Sequence, residues 1–187
     1  IFMVLVCLVV SFSFSAQASR EKDSHEHGAA NVMLAMEGEK LQLNFEVPSE
    51  SLIGFEHFPK SQDQRWYFNE AIKSLLEPSK LFSIPADAEC LLVGINVSQS
   101  LFAAKDEHGH EEKDEHGHDE SEKSEIHSEF ISKYHWNCEH LDEIDSIGTQ
   151  LMNIFPRIEE IRVRWITKNN QGSIELESKD DRIKGWK

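Results

Sequence analysis

The sequence predicts an α+β domain: a mostly antiparallel sheet of about six strands with two helices, interrupted by a histidine-rich, disordered insertion. Three observations lead to this fold class. Several short segments alternate apolar and polar residues, which is typical of strands with one buried face. Pairs of such segments near both ends of the chain are joined by short polar turns, which predicts hairpins. Between them, about residues 104–128 contain almost no apolar residue and cannot contribute to a core.

The first hairpin lies near the N-terminus. Residues 31–36 and residues 41–47 alternate apolar with polar side chains, and a polar turn at residues 37–40 joins them. The alternation places one face of each strand in the core. A loop is expected after this hairpin, at residues 49–59.

A helix is expected next. Ser61 followed by Gln64 matches a capping box, in which each side chain accepts a hydrogen bond from the backbone of the other residue. Apolar residues then recur at helical spacing, so we expect a helix at residues 62–77 that ends before Pro78. The apolar run at residues 90–97 predicts a strand that is buried on both faces.

The second half of the chain supplies the remaining elements. Residues 130–138 alternate and predict a strand with one solvent-facing side. Helical spacing predicts a helix at residues 146–155, which ends before Pro156. Residues 161–167 and residues 174–176 lie on either side of a polar turn and predict the second hairpin. The connectivity of the strands beyond the two hairpins stays open.

The chain is acidic, with a formal net charge of -15 at pH 7. Such a charge repels nucleic acids and anionic membrane surfaces, and it attracts cations. We therefore expect no nucleic-acid partner and a preference for positively charged ligands.

The first 18 residues have the features of a secretory signal peptide. The apolar run at residues 1–14 is too short to span a membrane, and an A-x-A pattern after it predicts cleavage after Ala18. The expected mature protein is a single domain at residues 19–187. We expect it to be exported and soluble, with no membrane insertion after signal cleavage.

Two cysteines remain in the mature chain, Cys90 and Cys138. An even pair in an oxidising compartment predicts one disulfide. Chain entropy predicts that a bridge over a loop of this length stabilises the fold by about 4 kcal/mol. The two cysteines flank the insertion, so we expect the bridge to hold the ends of the insertion close together.

A tandem repeat fills the insertion. The chain reads KDEHGHE from Lys105 and KDEHGHD from Lys113, and each copy carries two imidazoles one residue apart. The four histidines are His108, His110, His116 and His118. Zn²⁺ favours nitrogen ligands and four-coordination, so the repeat predicts a flexible zinc-binding segment. The alternative left open is an acidic, histidine-containing spacer that binds no metal.

A second and ordered metal site is also predicted. His25 and His27 come just before the first strand, and His127 and Glu129 have the same spacing at the entry to the strand at residues 130–138. Side chains two residues apart leave the same face of a strand. We expect three histidines and a carboxylate to meet if these two strands pair near these ends. The alternative is that His25 and His27 lie in a frayed terminus and bind nothing.

Three further histidines are given weaker roles. His57 follows Glu56 in a loop and is most simply an oriented loop histidine. His135 and His140 are interpreted as surface residues without a metal role.

An ordered series of short motifs adds a resemblance to these inferences. The motifs are HEHG at His25, GFEHFP at Gly54, LFSIPADAECLL up to Leu92, H-x-E-F at His127, YHWNC ending at Cys138 and FPRIEEIRVRWITKNNQG at Phe155. Together they resemble the ZrgA-like family of zinc-regulated periplasmic proteins, from about His25 to Leu176. Two positions depart from the family pattern. Glu129 stands where Asp is expected and keeps the carboxylate, whereas Arg164 replaces an expected Gln and puts any role of that position in doubt.

The resemblance implies a periplasmic zinc-binding protein that supports zinc uptake and has no catalytic activity. In this interpretation the protein captures Zn²⁺ and hands it on, and a zinc transport component is a candidate partner that the sequence does not identify. A periplasmic buffer or chaperone for other divalent metals, Cu²⁺ or Ni²⁺, is the alternative, since imidazole also suits those ions. An enzyme is disfavoured because the chain has no H-E-x-x-H, G-x-S-x-G, phosphate-binding glycine loop or C-x-x-C motif.

Overall fold

The computed structural model describes residues 27–101 and 128–187, which form two β-sheets with short helices between the strands. The strands are β1 (Ala29–Glu37), β2 (Lys40–Pro48), β3 (Phe82–Ser83), β4 (Cys90–Gln99), β5 (Glu129–Cys138), β6 (Ser146–Thr149), β7 (Glu160–Thr167), β8 (Gln171–Leu176) and β9 (Arg182–Lys184). The helices are α1 (Ser49–Ile53), α2 (Gln62–Leu75), α3 (Pro78–Leu81) and α4 (Leu151–Ile154). Within these two ranges, no helix is long and apolar enough to cross a membrane.

The larger sheet has six strands in the order β4-β5-β2-β1-β7-β8. Both predicted hairpins are confirmed, as β1–β2 and as β7–β8. The pairing is antiparallel except between β1 and β7, which run parallel, so the sheet is mixed. The parallel pair arises because β7 returns to the sheet after a long connection and not through a tight turn. The smaller sheet, in the order β3-β6-β9, has no counterpart in the predicted fold.

The core lies between one face of the larger sheet and the elements that cover it. Alternate residues of β1, β2, β5 and β7 are buried, as the period of two requires. Helix α2 packs over β5, where the ring of Phe68 lies 5.8 Å from that of Phe130. The predicted capping box opens this helix: Ser61 Oγ accepts from Gln64 N at 3.1 Å, and Gln64 Oε1 accepts from Ser61 N at 3.4 Å.

The predicted helix at residues 146–155 is wrong in its first half. Residues Ser146–Thr149 form strand β6, and only Leu151–Ile154 are helical. Strand β6 pairs with β3 and β9, and these contacts between distant parts of the chain override the apolar spacing. A Cβ at Gly148 would lie 2.3 Å from Ser83 Oγ, so the absence of a side chain there permits the close pairing with β3.

Two further predictions need correction. The expected loop at residues 49–59 begins with a helical turn, α1. Strand β4 is not buried on both faces: it is the edge strand of the larger sheet, and the side chains of Leu91 and Val93 are 70% and 54% exposed. Its pairing with β5 is also irregular between Leu92 and Gly94, which is common in edge strands.

The predicted disulfide is confirmed. Cys90 and Cys138 are direct partners in the β4–β5 ladder, with their sulfur atoms 2.04 Å apart. The bridge lies at the opposite end of this strand pair from the insertion, so the expectation that it holds the ends of the insertion together is wrong. Backbone pairing does this instead, since Ser100 N donates to Glu129 O at 3.1 Å.

Replacing Tyr134 with Phe tests the packing of α2 on the sheet. The buried Tyr134 hydroxyl donates to Leu75 O at 2.8 Å, so we expect Tyr134→Phe to lower the free energy of unfolding by about 1 kcal/mol near neutral pH. Burial raises the pKa of Tyr134 from 10.0 to about 12. Between pH 10.0 and about pH 12, the folded protein therefore keeps this proton whereas the unfolded chain loses it. The free energy of unfolding falls as pH rises through this range.

Phenylalanine has no proton to lose, so the stability difference between the two proteins should shrink at about pH 11. Urea unfolding at about pH 7 and about pH 11 measures both effects. Tyr67→Phe is the matched control because Tyr67 is half exposed. Equal responses of the two variants to pH would contradict the assignment.

Candidate metal site

The directions of three strands place two of the four predicted ligands, His27 and Glu129, at the same end of the larger sheet. Strands β1 and β5 both run antiparallel to β2, so both begin at the end of the sheet where β2 ends. They do not pair with each other, because β2 lies between them. At a strand spacing of about 4.8 Å, their first residues are about 10 Å apart. His27 and Glu129 therefore lie at the same edge of the molecule, whereas His25 and His127 are outside the described residues.

His27 is positioned by the residue that follows it. Gly28 N donates to Ser51 Oγ at 2.9 Å, and Gly28 O accepts from Glu159 N at 2.8 Å. These bonds fix the start of β1 against α1 and against the approach to β7. The exposed imidazole of His27 lies 4.0 Å from the carboxylate of Glu50 in α1.

The chain that re-enters the sheet at residue 128 is held by the same region. Ser128 O accepts from Ser49 N at 2.8 Å, and Ser128 Oγ donates to Glu56 O at 3.3 Å. Helix α1 and the loop after it thus contact the start of both strands.

A pair of carboxyl groups lies on the solvent-facing side of the sheet. Glu129 is opposite Pro48 in the β2–β5 ladder, and Glu46 is two residues before Pro48, on the same face. The two side chains are hydrogen-bonded. The pKa of Glu129 is raised above 4.5 by partial burial first, and then by the hydrogen bond and the charge of Glu46. A proton shared by the two carboxyls, or a cation bound between them, removes the repulsion between their charges.

His57 is oriented in a way that leaves one nitrogen available. Its ring stacks on the buried ring of Phe55, with the centroids 5.3 Å apart. His57 Nδ1 lies 2.9 Å from Phe58 O, and a carbonyl oxygen can only accept, so Nδ1 carries the proton. The lone pair of the neutral ring is then on Nε2. This arrangement is typical of histidines that bind metals, since the second nitrogen fixes the ring and its tautomer.

We call this group the strand-start site. It comprises the pair His27 and Glu50, the pair Glu46 and Glu129, and His57, all at one end of the larger sheet. Among the described residues, no three of these five place their ligand atoms within 4.8 Å of one another. Sequence spacing identified His27 and Glu129 but not the other three residues. Those three reach this end of the sheet through the end of β2 and the turn into α1. The only sequence signal for them was the GFEHFP motif, in which His57 was interpreted as an oriented loop residue.

The remaining histidines are the four predicted ligands in the repeat and two that were interpreted as surface residues without a metal role. The four histidines of the repeat, His108, His110, His116 and His118, are outside the described residues. His135 is half-buried on the solvent-facing side of β5, and His140 is exposed beyond the end of that strand.

The strand-start site provides the donors that a borderline cation binds. Imidazole nitrogen and carboxylate oxygen are both ligands of Zn²⁺, at about 2.0–2.2 Å. Three of its five residues are glutamates, and this acidic character favours binding of a positive ion.

Comparison with protein families gives one match. The family model described as ZrgA family zinc uptake protein matches residues 24–185. A search of curated proteins found no match. Because the family model covers most of the chain, including both strands that carry the site, the chain belongs to the ZrgA family of zinc uptake proteins.

Proposed function

We propose that this protein captures Zn²⁺ in the periplasm and hands it on to a zinc transport component. It acts as a carrier and not as an enzyme. Family membership supplies the role in zinc uptake. The capture step is assigned to the strand-start site and to the histidines of the repeat.

One observation carries the proposal: three separate chain segments deliver metal-binding side chains to one end of the larger sheet. The segments are the start of β1, the turn from β2 into the loop with His57, and the start of β5. Hydrogen bonds between them fix the backbone, so few degrees of freedom are lost when a metal binds. His25 and His127 adjoin this region in sequence and complete the proposed ligand set.

The cysteines and the predicted signal peptide support the proposed compartment. The Cys90–Cys138 disulfide is typical of proteins in an oxidising compartment. The signal peptide predicted at residues 1–18 leads to the same compartment, and a periplasmic location unites both features.

Release is as important as capture for a carrier. His27 and His57 are exposed, so water or a partner's ligand can reach the bound ion and replace them. A closed structural zinc site would hold the ion too firmly to pass it on.

Other divalent metals are the alternative cargo. Cu²⁺ binds most nitrogen and oxygen sites more tightly than Zn²⁺, so affinity alone does not establish the physiological metal. Competition titration with Zn²⁺, Cu²⁺ and Ni²⁺, combined with growth on limiting zinc or copper, separates these functions.

Replacing His57 with Gln tests the strand-start site. We expect the affinity of the tightest zinc site to fall by about tenfold or more, because Gln offers no imidazole nitrogen. Titration calorimetry of the mature chain with Zn²⁺ measures the change. His135→Gln is the matched control, since His135 is on the solvent-facing side of the same sheet but at a distance from the site. Identical zinc affinities for the two variants would exclude His57 as a ligand.

Replacing Glu129 with Gln tests the carboxyl pair through pH. The raised pKa means that the metal-free folded protein holds a proton that the unfolded chain loses above about pH 4.5. A chelator keeps the protein metal-free. Under that condition, the free energy of unfolding should fall as pH rises from 4.5 to the raised pKa of Glu129. The Gln variant lacks this titration, so it should lose less stability towards neutral pH and also bind zinc more weakly. Urea unfolding at several pH values and zinc titration provide the two measurements. A variant that keeps the wild-type pH slope would contradict the carboxyl pair.

Deleting residues 104–124 tests the division of labour between the sheet and the repeat. The segment has four histidines and no apolar residue after Ala104, so we expect fewer zinc ions per chain without loss of cooperative unfolding. The hydrogen bond between Ser100 and Glu129 leaves the two strand ends close enough for a short loop to join them. Equilibrium dialysis and thermal unfolding measure both properties. Loss of the unfolding transition would show that the segment supports the core.

A further inference from the structure

A second group of metal-binding side chains lies at the other end of β5. Glu89, Glu139 and His140 each direct one ligand atom to a common point, and these atoms are all within 4.8 Å of one another. Glu139 is ten residues after Glu129, so at about 3.3 Å per residue the two sites are about 33 Å apart. We call these three residues the disulfide-end cluster. It is separate from the strand-start site.

The backbone that carries the disulfide-end cluster is held by covalent and hydrogen bonds. Cys90 and Cys138 are bridged, and Glu89 and Glu139 are the next residues beyond the bridge. Glu139 N donates to Glu89 O at 3.4 Å, and His140 N donates to Ala88 O at 3.2 Å. The three side chains therefore extend from backbone that is held next to the bridge, and their own rotations set the distances between the donor atoms.

The cluster lacks a positive partner. Within residues 27–101 and 128–187, neither carboxylate forms an ion pair with a lysine or arginine, although other surface glutamates do. Asp142 and Glu143, in the turn that follows, add further negative charge. Glu89 also has φ 47°, the one positive value at a non-glycine position in the described chain. A left-handed backbone is unfavourable for Glu, and the carboxylate is present there nevertheless.

We propose that the disulfide-end cluster is a second zinc site. One imidazole and two carboxylates match the nitrogen and oxygen ligands of Zn²⁺, whereas Ca²⁺ and Mg²⁺ take oxygen ligands. Ligand atoms about 2.05 Å from a tetrahedral ion are about 3.3 Å apart, so the exposed side chains need to close by only about 1.5 Å. The fourth position faces solvent, which makes this an exchange site. The inference rests on the family's role in zinc uptake and is independent of the strand-start site.

The test uses the mature chain and Zn²⁺ as the probe. His140→Gln and Glu139→Gln should each weaken one zinc site by about tenfold or more, without changing the thermal unfolding of the metal-free protein. Glu143→Gln is the control for charge, because it removes the same charge from the neighbouring turn. His135→Gln is the control for loss of an imidazole from the same strand. Titration with a competing chelator resolves the affinities of the individual sites.

Two results would overturn the inference. If the His140→Gln variant binds the same number of zinc ions with the same affinity as the wild type, His140 is not a zinc ligand. If Glu139→Gln weakens zinc binding no more than Glu143→Gln does, Glu139 contributes only its negative charge and is not a zinc ligand. His57→Gln serves as the cross-check, since it affects only the strand-start site. An effect of His140→Gln alone supports the second site and contradicts the first, and an effect of His57→Gln alone does the reverse.

Discussion

The direction of β2 is the constraint on which the rest of the structure depends. Because β2 runs opposite to both β1 and β5, the chain segments that precede these two strands reach the same end of the sheet. The same arrangement sends the β1–β2 turn and the disulfide to the other end, where Cys138 N donates to Glu39 O at 2.7 Å. The residues of both proposed metal sites thus lie at opposite ends of the larger sheet, and its buried apolar face lies between them.

The strand-start site shows how binding residues oppose the stability of the metal-free fold. Partial burial and the neighbouring Glu46 make the ionised form of Glu129 less favourable in the folded protein than in the unfolded chain, so folding favours binding of a proton there. A divalent cation can take the place of that proton and neutralise both carboxyl groups. Ligand binding then recovers the stability that the site gives up, which is the usual linkage between binding and folding.

Local patterns in the sequence predicted the elements whose structure is set locally. The alternation in β1 and β2 and the capping box at Ser61 depend on near neighbours, and the structure agrees with them. The local sequence pattern did not predict strand β6. The close contact that requires a glycine at position 148 is with Ser83, which is 65 residues away in the chain. The exposure of β4 was missed because an apolar run is the same whether a strand lies inside a sheet or at its edge. Of the strand-start site, spacing revealed His27 and Glu129, whereas Glu46, Glu50 and His57 join them only through the tertiary fold.

Exposure of the ligands decides what kind of zinc protein this fold can support. A site closed on all sides gains affinity by excluding water, but its ion then leaves only when the site opens. In this chain the backbone around His27 and Glu129 is fixed by hydrogen bonds, while the imidazoles of His27 and His57 remain in solvent. A fixed backbone limits the entropy lost on binding, and exposed ligands allow stepwise replacement by an incoming donor. If these residues bind zinc as proposed, the arrangement favours transfer of the ion over permanent retention.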